Sequence, residues 1–372
     1  LVSKPVRKSP LMTRPTIYVA ITNHGYGHAT RMAAVLAEIV RRCPDVLLII
    51  VTNAPRSLLE SYLREVNFIY RPRPLDVGVI QSDGLTMDKG STRLEIERIQ
   101  SRERMIIAGE VNFIRLNRVQ LVLADIPPLA ASIAKAAGIP CWMISNFGWD
   151  FIYQSWGTEF AEIVQWIQDC FRQCDRLFRL PFHEAMSTFP EQMDVGLTGG
   201  SPWYEPDRLR QELAITTPND RTVLLTFGGL GLQSIPYTNL ARFPHWQFLT
   251  FDRQAPSLPN LIKIEHPYRP VDVMPLCHCI ISKPGYGTFS EACRVGVPII
   301  TLTREDFPES LLLLEGIQNH AAHRIISPLD FFQGSWDFLH QPFIQPLRSP
   351  SVPALRHDGN ETIAQTVADF LS

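Results

Sequence analysis

Two histidines, His24 and His28, lie in the run Asn23-His24-Gly25-Tyr26-Gly27-His28-Ala29-Thr30-Arg31, directly after the apolar stretch Thr16–Ile21, which reads as a strand. A glycine-rich turn at a strand's carboxyl end suggests a dinucleotide site. The fingerprint Gly-x-Gly-x-x-Gly/Ala fails at its third place, Thr30, and the second strand ends in Thr52-Asn53 where a ribose-binding acid is expected. No Gly-x4-Gly-Lys-Ser/Thr phosphate loop occurs either, which disfavours a P-loop kinase. What remains is a tight turn that presents two imidazoles, groups whose ordinary pKa near neutrality suits proton transfer.

The second half holds two more such turns. Gly228-Gly229-Leu230-Gly231 follows the apolar run Val223–Phe227, and Ser282-Lys283-Pro284-Gly285-Tyr286-Gly287-Thr288 follows Cys279–Ser282 and opens a helix. Amides at a helix start, glycines that permit close approach and an adjacent lysine form a plausible cradle for a diphosphate. Glu291, one turn further on, could then reach a ribose diol. The same spacing, Thr288-x-x-Glu291, also fits a simple capping box. Cys277-His278-Cys279 is not read as a metal site, because alternate strand residues point to opposite faces and no fourth ligand is evident.

These turns need elements to hold them, and the chain alternates short apolar runs with amphipathic stretches, as parallel βα units do. In the first half strands are expected at Thr16–Ile21, Val46–Val51, Phe68–Tyr70, Leu121–Ala124 and Pro140–Ile144. Helices are expected at Thr30–Arg42, Leu58–Glu65, Thr92–Arg118 with a break near Gly109, Leu129–Ala137 and Glu159–Arg172. The stretch 181–218 is rich in proline and glycine without sustained period and reads as an interdomain linker. Beyond it, strands are expected at Val223–Phe227, Gln247–Phe251, Leu261–Glu265, Cys279–Ser282 and Pro298–Leu302, with helices at Thr288–Val295, Ser310–His320 and Glu361–Leu371. The expected architecture is α/β: two doubly wound, Rossmann-like domains, 16–180 and 219–358, whose carboxyl strand ends face one cleft.

Composition bounds the function. The 372 residues suit two domains, and 45% hydrophobic against 19% charged residues allows each a real core. With 35 Lys+Arg and 37 Asp+Glu the net charge is -2, so no global field would hold nucleic acid or an anionic membrane. The longest apolar runs are strand-length, and no transmembrane segment is expected. Leu1 to Pro15 reads as a disordered basic tail rather than a signal peptide. Seven cysteines without CxxC pairs argue against disulfides or a zinc knuckle and fit a reducing cytoplasm.

The run His24 to Arg31, together with Asn146-Phe147-Gly148-Trp149-Asp150-Phe151-Ile152-Tyr153 and Ser282 to Ala292, resembles the glycosyltransferase-like amino-terminal region of plant L-arabinokinases. More broadly it is similar to the two-domain B-type glycosyltransferases that use nucleotide-diphosphate sugars, among them the plant UDP-sugar transferases and the lipid-linked peptidoglycan GlcNAc transferase. The resemblance spans roughly Thr16 to Leu371. It implies a donor site made by Gly228, Gly229, Tyr268, Lys283, Gly285, Gly287 and Thr288, with Glu291 on the ribose. The plant enzymes carry a His-Cys pair where this chain has Lys283-Pro284. The acidic loop with Glu305, Asp306 and Glu309 stands where those enzymes hold donor-sugar hydroxyls, without their Asp-Gln pair.

By the same resemblance His28 takes the place of the catalytic base and Asp125 that of its orienting acid. An acceptor hydroxyl is a weak nucleophile, so an imidazole that takes its proton, held by a carboxylate on the far nitrogen, is the chemistry required. His24, Arg31, Trp149, Asp150 and Tyr153 become candidate acceptor contacts, although aromatics of this kind also simply pack. The implied activity is inverting and metal-independent, with a UDP-sugar as co-substrate, no other cofactor and a small-molecule or lipid acceptor. A UDP-sugar epimerase of the same plan and a non-catalytic sugar-nucleotide sensor or scaffold are the competing expectations. In the resembling family the last helix crosses back onto the amino-terminal domain, which is expected here of 359–372.

Overall fold

The inner strands of both sheets are buried on both faces, as parallel sheets covered by helices require. The computed structural model describes residues 14–81, 86–228, 232, 235–304, 307–347 and 352–372. Residues 1–13 of the expected tail fall outside these. Arg14, just inside, hydrogen-bonds the carbonyls of Asp45 at 2.6 Å and Val46 at 3.3 Å.

The first domain runs β1 (Thr16–Ile21), α1 (Gly27–Arg42), β2 (Leu47–Val51), α2 (Arg56–Glu60), β3 (Phe68–Arg71), α3 (Lys89–Ser101), α4 (Glu103–Leu116), β4 (Leu121–Asp125), α5 (Leu129–Ala137), β5 (Cys141–Ser145), α6 (Trp149–Gln154), α7 (Ala161–Phe171), β6 (Arg176–Arg179) and β7 (Gln192–Asp194). Its strands order as β3-β2-β1-β4-β5-β6-β7, all pairs parallel. After α8 (Pro206–Glu212) the second domain runs β8 (Thr222–Leu225), β9 (Gln247–Thr250), β10 (Leu261–Lys263), α9 (Pro270–Val273), β11 (Cys279–Ser282), α10 (Tyr286–Val295), β12 (Ile299–Leu302), α11 (Glu309–His320), β13 (His323–Ile326) and α12 (Pro328–Phe332), and the chain ends in α13 (Gly359–Leu371). This sheet orders as β10-β9-β8-β11-β12-β13, again parallel. The α/β class and two doubly wound sheets expected from the sequence are both present.

Several boundaries differ from expectation. The long helix is two, and the chain breaks at Arg102 rather than at Gly109. A glycine inside a well-packed helix costs only about 1 kcal/mol, too little to end it. The stretch 181–218 contains β7, which lengthens the first sheet, and α8. Helix α13 lies against α1. Ile363, Ala364 and Val367 are buried there, Arg42 Nε donates to Gln365 at 3.2 Å, and the Phe370 and Trp142 rings meet at 5.1 Å. Asn360 clasps Gly199 through both its amide and its carbonyl, so α13 also pins the crossing between the domains.

Each sheet reverses its order once, between β1 and β4 in the first and between β8 and β11 in the second. Such reversals open a crevice at the carboxyl ends, where ligands bind in α/β proteins. The two crevices face each other, and the turns with His28 and Thr288, together with Gly228, lie at them.

Candidate active site

Register places the first pair of groups. Ile21 on β1 is opposite Asp125 on β4, and the Thr22 amide donates to the Asp125 carbonyl at 2.7 Å, so the turn after β1 is tied to the end of β4. Gly25 takes φ +59, a conformation glycine adopts without cost, and the turn then feeds α1. His28, in the first turn of α1, thereby reaches Asp125: Nδ1 lies 2.8 Å from Oδ1. His28 is almost fully buried, but its ring borders the cleft.

Asp125 has a second partner. The Arg31 guanidinium, one turn along α1, meets it with Nε at 2.5 Å from Oδ2 and Nη2 at 2.5 Å from Oδ1. Burial alone would push the Asp125 carboxyl up, yet Arg31, and after it His28, outweigh burial and hold it below the usual carboxylate range. Arg31 also donates from Nη1 to Asn146 Oδ1 at 3.0 Å and from Nη2 to Ser145 Oγ at 3.3 Å. Expected among acceptor contacts, Arg31 instead sits inside the domain with its donors on protein atoms.

From the second domain come α10 and the loop before it. α10 starts at Tyr286, three residues before the start a Thr288 capping box requires, and the Glu291 carboxylate points elsewhere, so the capping-box alternative is set aside. Neither α1 nor α10 carries a side-chain cap or an acidic residue in its first turn, which leaves both positive helix ends facing the cleft. The two turns touch: a Cβ on Gly287 would lie 3.4 Å from Gly27 Cα. Between them is a cavity of about 110 Å3 lined by His24, His28, Gly228, Lys283, Gly285, Thr288, Arg304, Phe307 and Glu309, with Arg31 and Tyr286 at its floor. Gly229, Glu305 and Asp306 lie outside the described residues.

Glu309, at the start of α11, accepts from Asn146 Nδ2 at 2.9 Å, a hydrogen bond that crosses between the domains. His24 borders the cavity with its Nδ1 3.2 Å from the Val79 carbonyl, and its ring stacks on Phe307 at 5.8 Å. Burial, then the charges of His28, Arg304 and Lys283, hold the His24 imidazole well below its ordinary pKa. It is therefore neutral where His28 would have to work.

Other expected contacts lie elsewhere. Glu291 is buried under the interdomain crossing, and its Oε1 accepts from Tyr62 Oη at 3.0 Å and from the Gly200 amide at 2.9 Å. Tyr268 donates to Glu212 at 3.1 Å and packs on Tyr204. Trp149 and Tyr153 are buried and stacked at 5.8 Å. Trp149 Nε1 donates to Asp76 at 3.1 Å, Tyr153 donates to the Gly78 carbonyl, and Asp150 accepts from Thr188 at 3.1 Å. Trp149 and Tyr153 thereby anchor the segment after β3 beneath the histidine turn. Asp76 completes that anchor by accepting from the Asn23 amide at 3.0 Å and from Thr22 Oγ1. Sequence reasoning gave Asp76 and Tyr62 no role, since neither lies in a motif. Cys277 and Cys279 are buried, while His278 packs on Trp246 and Phe343. No helix among the described residues is long and apolar enough to cross a membrane.

No family profile matches the chain. Over 324 residues, 85% of the chain, it is 29% identical to L-arabinokinase from Arabidopsis thaliana, and it spans about a third of that protein's length, 31%. Among solved structures it is similar to a UDP-glucosyltransferase from Polygonum tinctorium (TM-score 0.60, 14% identity, covering 97% of this chain and 99% of that one). It is likewise similar to the calicheamicin glycosyltransferase CalG4 (TM-score 0.58, 14% identity, 97% and 96%) and to a UDP-bound transferase from Siraitia grosvenorii (TM-score 0.54, 12% identity, 96% and 99%). The fold is the two-domain GT-B fold of nucleotide-sugar glycosyltransferases, and the sequence likeness is to the arabinokinase named from the motifs.

Proposed function

We propose that the protein is an inverting glycosyltransferase that moves a sugar from a nucleotide diphosphate, UDP foremost, to an acceptor hydroxyl. One observation carries the reading: the positive ends of α1 and α10, with Lys283 beside them, converge on the same cavity that the His28–Asp125 pair borders. A diphosphate placed there would meet backbone amides, Thr288 and Lys283, groups suited to the charge that develops on a leaving phosphate oxygen. The acceptor oxygen forms its bond to the anomeric carbon as the bond from that carbon to the diphosphate breaks. The electron pair leaves on the phosphate, and the hydroxyl proton passes to His28 Nε2. Attack opposite the leaving group inverts the anomeric centre, and no metal is needed to neutralise the diphosphate.

The glycosyltransferase folds among the similar structures and the UDP in one of them support the donor class. The test is a panel of UDP-, GDP- and TDP-sugars, read first as thermal stabilisation and then as products with a chelator present. Stabilisation by a UDP-sugar with slow release of UDP is expected. An epimerised sugar without UDP release would favour an epimerase, and stabilisation without any product a sensor. In an active enzyme His28→Ala should lower turnover about 10²–10⁴-fold, the range of a general base, with UDP affinity unchanged to within about twofold. A fully active His28→Ala protein would refute the mechanism.

A further inference from the structure

Three nitrogen–oxygen contacts crowd one carboxylate. Asp125 Oδ1 receives both His28 Nδ1, at 2.8 Å, and Arg31 Nη2, at 2.5 Å, while Oδ2 receives Arg31 Nε at 2.5 Å. All three residues are buried, so the charges act at low dielectric. A lone buried aspartate would favour the imidazolium form of its partner. Here the aspartate's charge is already matched by a guanidinium.

We propose that Arg31 is a positioning residue for the proposed transfer: it balances Asp125, leaves Oδ1 to accept the His28 Nδ1 proton, and so keeps the imidazole neutral with Nε2 toward the cavity. The inference rests on His28 acting as the base. The competing arrangement is specific. Arg31 Nη2 is also 3.0 Å from His28 Nδ1, and if it donated to that nitrogen the proton would sit on Nε2 and His28 could not accept from a hydroxyl.

Arg31 is itself held from both domains. Its Nη1 is fixed by Asn146, whose amide donates across the cleft to Glu309, and its guanidinium lies 5.0 Å from the centre of the Tyr286 ring at the start of α10. The arginine therefore joins the dyad to the two elements that line the donor cavity. Around His28 the charged and titratable groups are Asp125 on β4, Arg31 on α1, His24 in the turn, Asp76 beneath it, and Lys283, Arg304 and Glu309 across the cavity. Of these only Asp125 and Arg31 come within hydrogen-bond distance of the ring in the described contacts.

The sign of the effect follows. Removing the guanidinium charge leaves Asp125 facing His28 alone, which stabilises the imidazolium and moves the imidazole titration to higher pH. Nitrogen-15 NMR of the histidines, with His28 assigned by His28→Gln, reads both tautomer and titration without any substrate. In the wild type the unprotonated nitrogen should be Nε2. In Arg31→Gln the midpoint should rise by at least one pH unit, tenfold in proton concentration, and Arg31→Lys should fall between the two. If a sugar donor is turned over, the acid limb of the rate profile should move by the same amount, with activity regained at alkaline pH. A merely structural arginine would lower the melting temperature without moving that limb.

An Nε2-protonated wild type, or a titration in Arg31→Gln that matches the wild type, would overturn the proposal. Should the glutamine variant fail to fold, Arg31→Lys decides by the same titration, because an ammonium cannot meet both carboxylate oxygens as the guanidinium does; an unshifted midpoint there overturns it as well. A shifted titration in a protein that turns over no nucleotide sugar would leave the charge balance standing and remove the glycosyltransferase reading. Turnover with an unshifted titration would do the reverse.

Discussion

Glu291→Gln should remove a pH-dependent instability that the native protein carries at and above neutrality. Burial pushes the Glu291 carboxyl from its ordinary 4.5 up to about 7, although the Gly200 amide, the Tyr62 hydroxyl and the Arg269 charge all favour the ionised form. Between those two values the folded chain keeps a proton that the unfolded chain has released. Stability therefore falls as pH rises through the window from 4.5 to about 7: the contribution is complete below it and gone above it. The difference between 7 and 4.5, at about 1.4 kcal/mol per pH unit, comes to roughly 3 kcal/mol. Glutamine is neutral throughout and can still accept from Gly200 and Tyr62. Melting curves of both proteins at about pH 5 and about pH 8 separate this group from the rest, because every other titration is common to the two. The wild type should lose several degrees relative to the variant on going to the higher pH, at about 2–4 °C per kcal/mol for folding units of 150–250 residues. Parallel melting temperatures at the two pH values would refute the reasoning, and with it the burial of a protonatable Glu291 between the domains.

Tyr62→Phe removes one donor from the buried Glu291 carboxylate, so the protein should lose about 1.5–3 kcal/mol of stability at about pH 8, the worth of one hydrogen bond to a charged group, with UDP affinity by calorimetry unchanged; weaker binding would make Tyr62 part of the ligand site instead. Deleting residues 359–372 uncovers the face of α1 on which Ile363 and Val367 are buried, at about 1.5–3 kcal/mol for each side chain. It also frees Gly199 from Asn360, so the melting temperature should drop and any turnover should fall more than UDP affinity does. An unchanged melting temperature would show that α13 contributes nothing to the docking of the domains.

What the sequence made legible was local. Strands such as Leu121–Asp125 and Cys279–Ser282 are short apolar runs bounded by turn residues, and each was readable to within a residue or two because both faces are buried and no alternation is needed. The turns with His28 and Thr288 were visible because glycine spacing marks close backbone approach. The partners were not. Arg31 looked like a free cation near a ligand, and nothing in its spacing reveals that β4 and β5 bring Asp125 and Asn146 to it from 94 and 115 residues away. Glu291 looked like a ligand group for the same reason. Its actual neighbours, Tyr62 and Gly200, come from another domain and from an irregular crossing, which carry no periodic signal. Short strands such as β7, with three residues and half-exposed side chains, fall below what a pattern can separate from a loop.

The contacts that complete the site come from both domains. Asn146 on Glu309, Arg31 on Tyr286 and Phe307 on His24 join the first domain to the second around the cavity, and Tyr62 on Glu291 joins them under the interdomain crossing. The cavity they border has a volume of about 110 Å3 and opens onto the cleft. Parting the domains would break the Asn146–Glu309 hydrogen bond, but it would leave Arg31 held within the first domain by Asp125, Asn146 and Ser145. The groups that order the His28–Asp125 pair therefore belong to the first domain, while the second supplies the facing wall of the cavity through Lys283, Gly285 and Thr288.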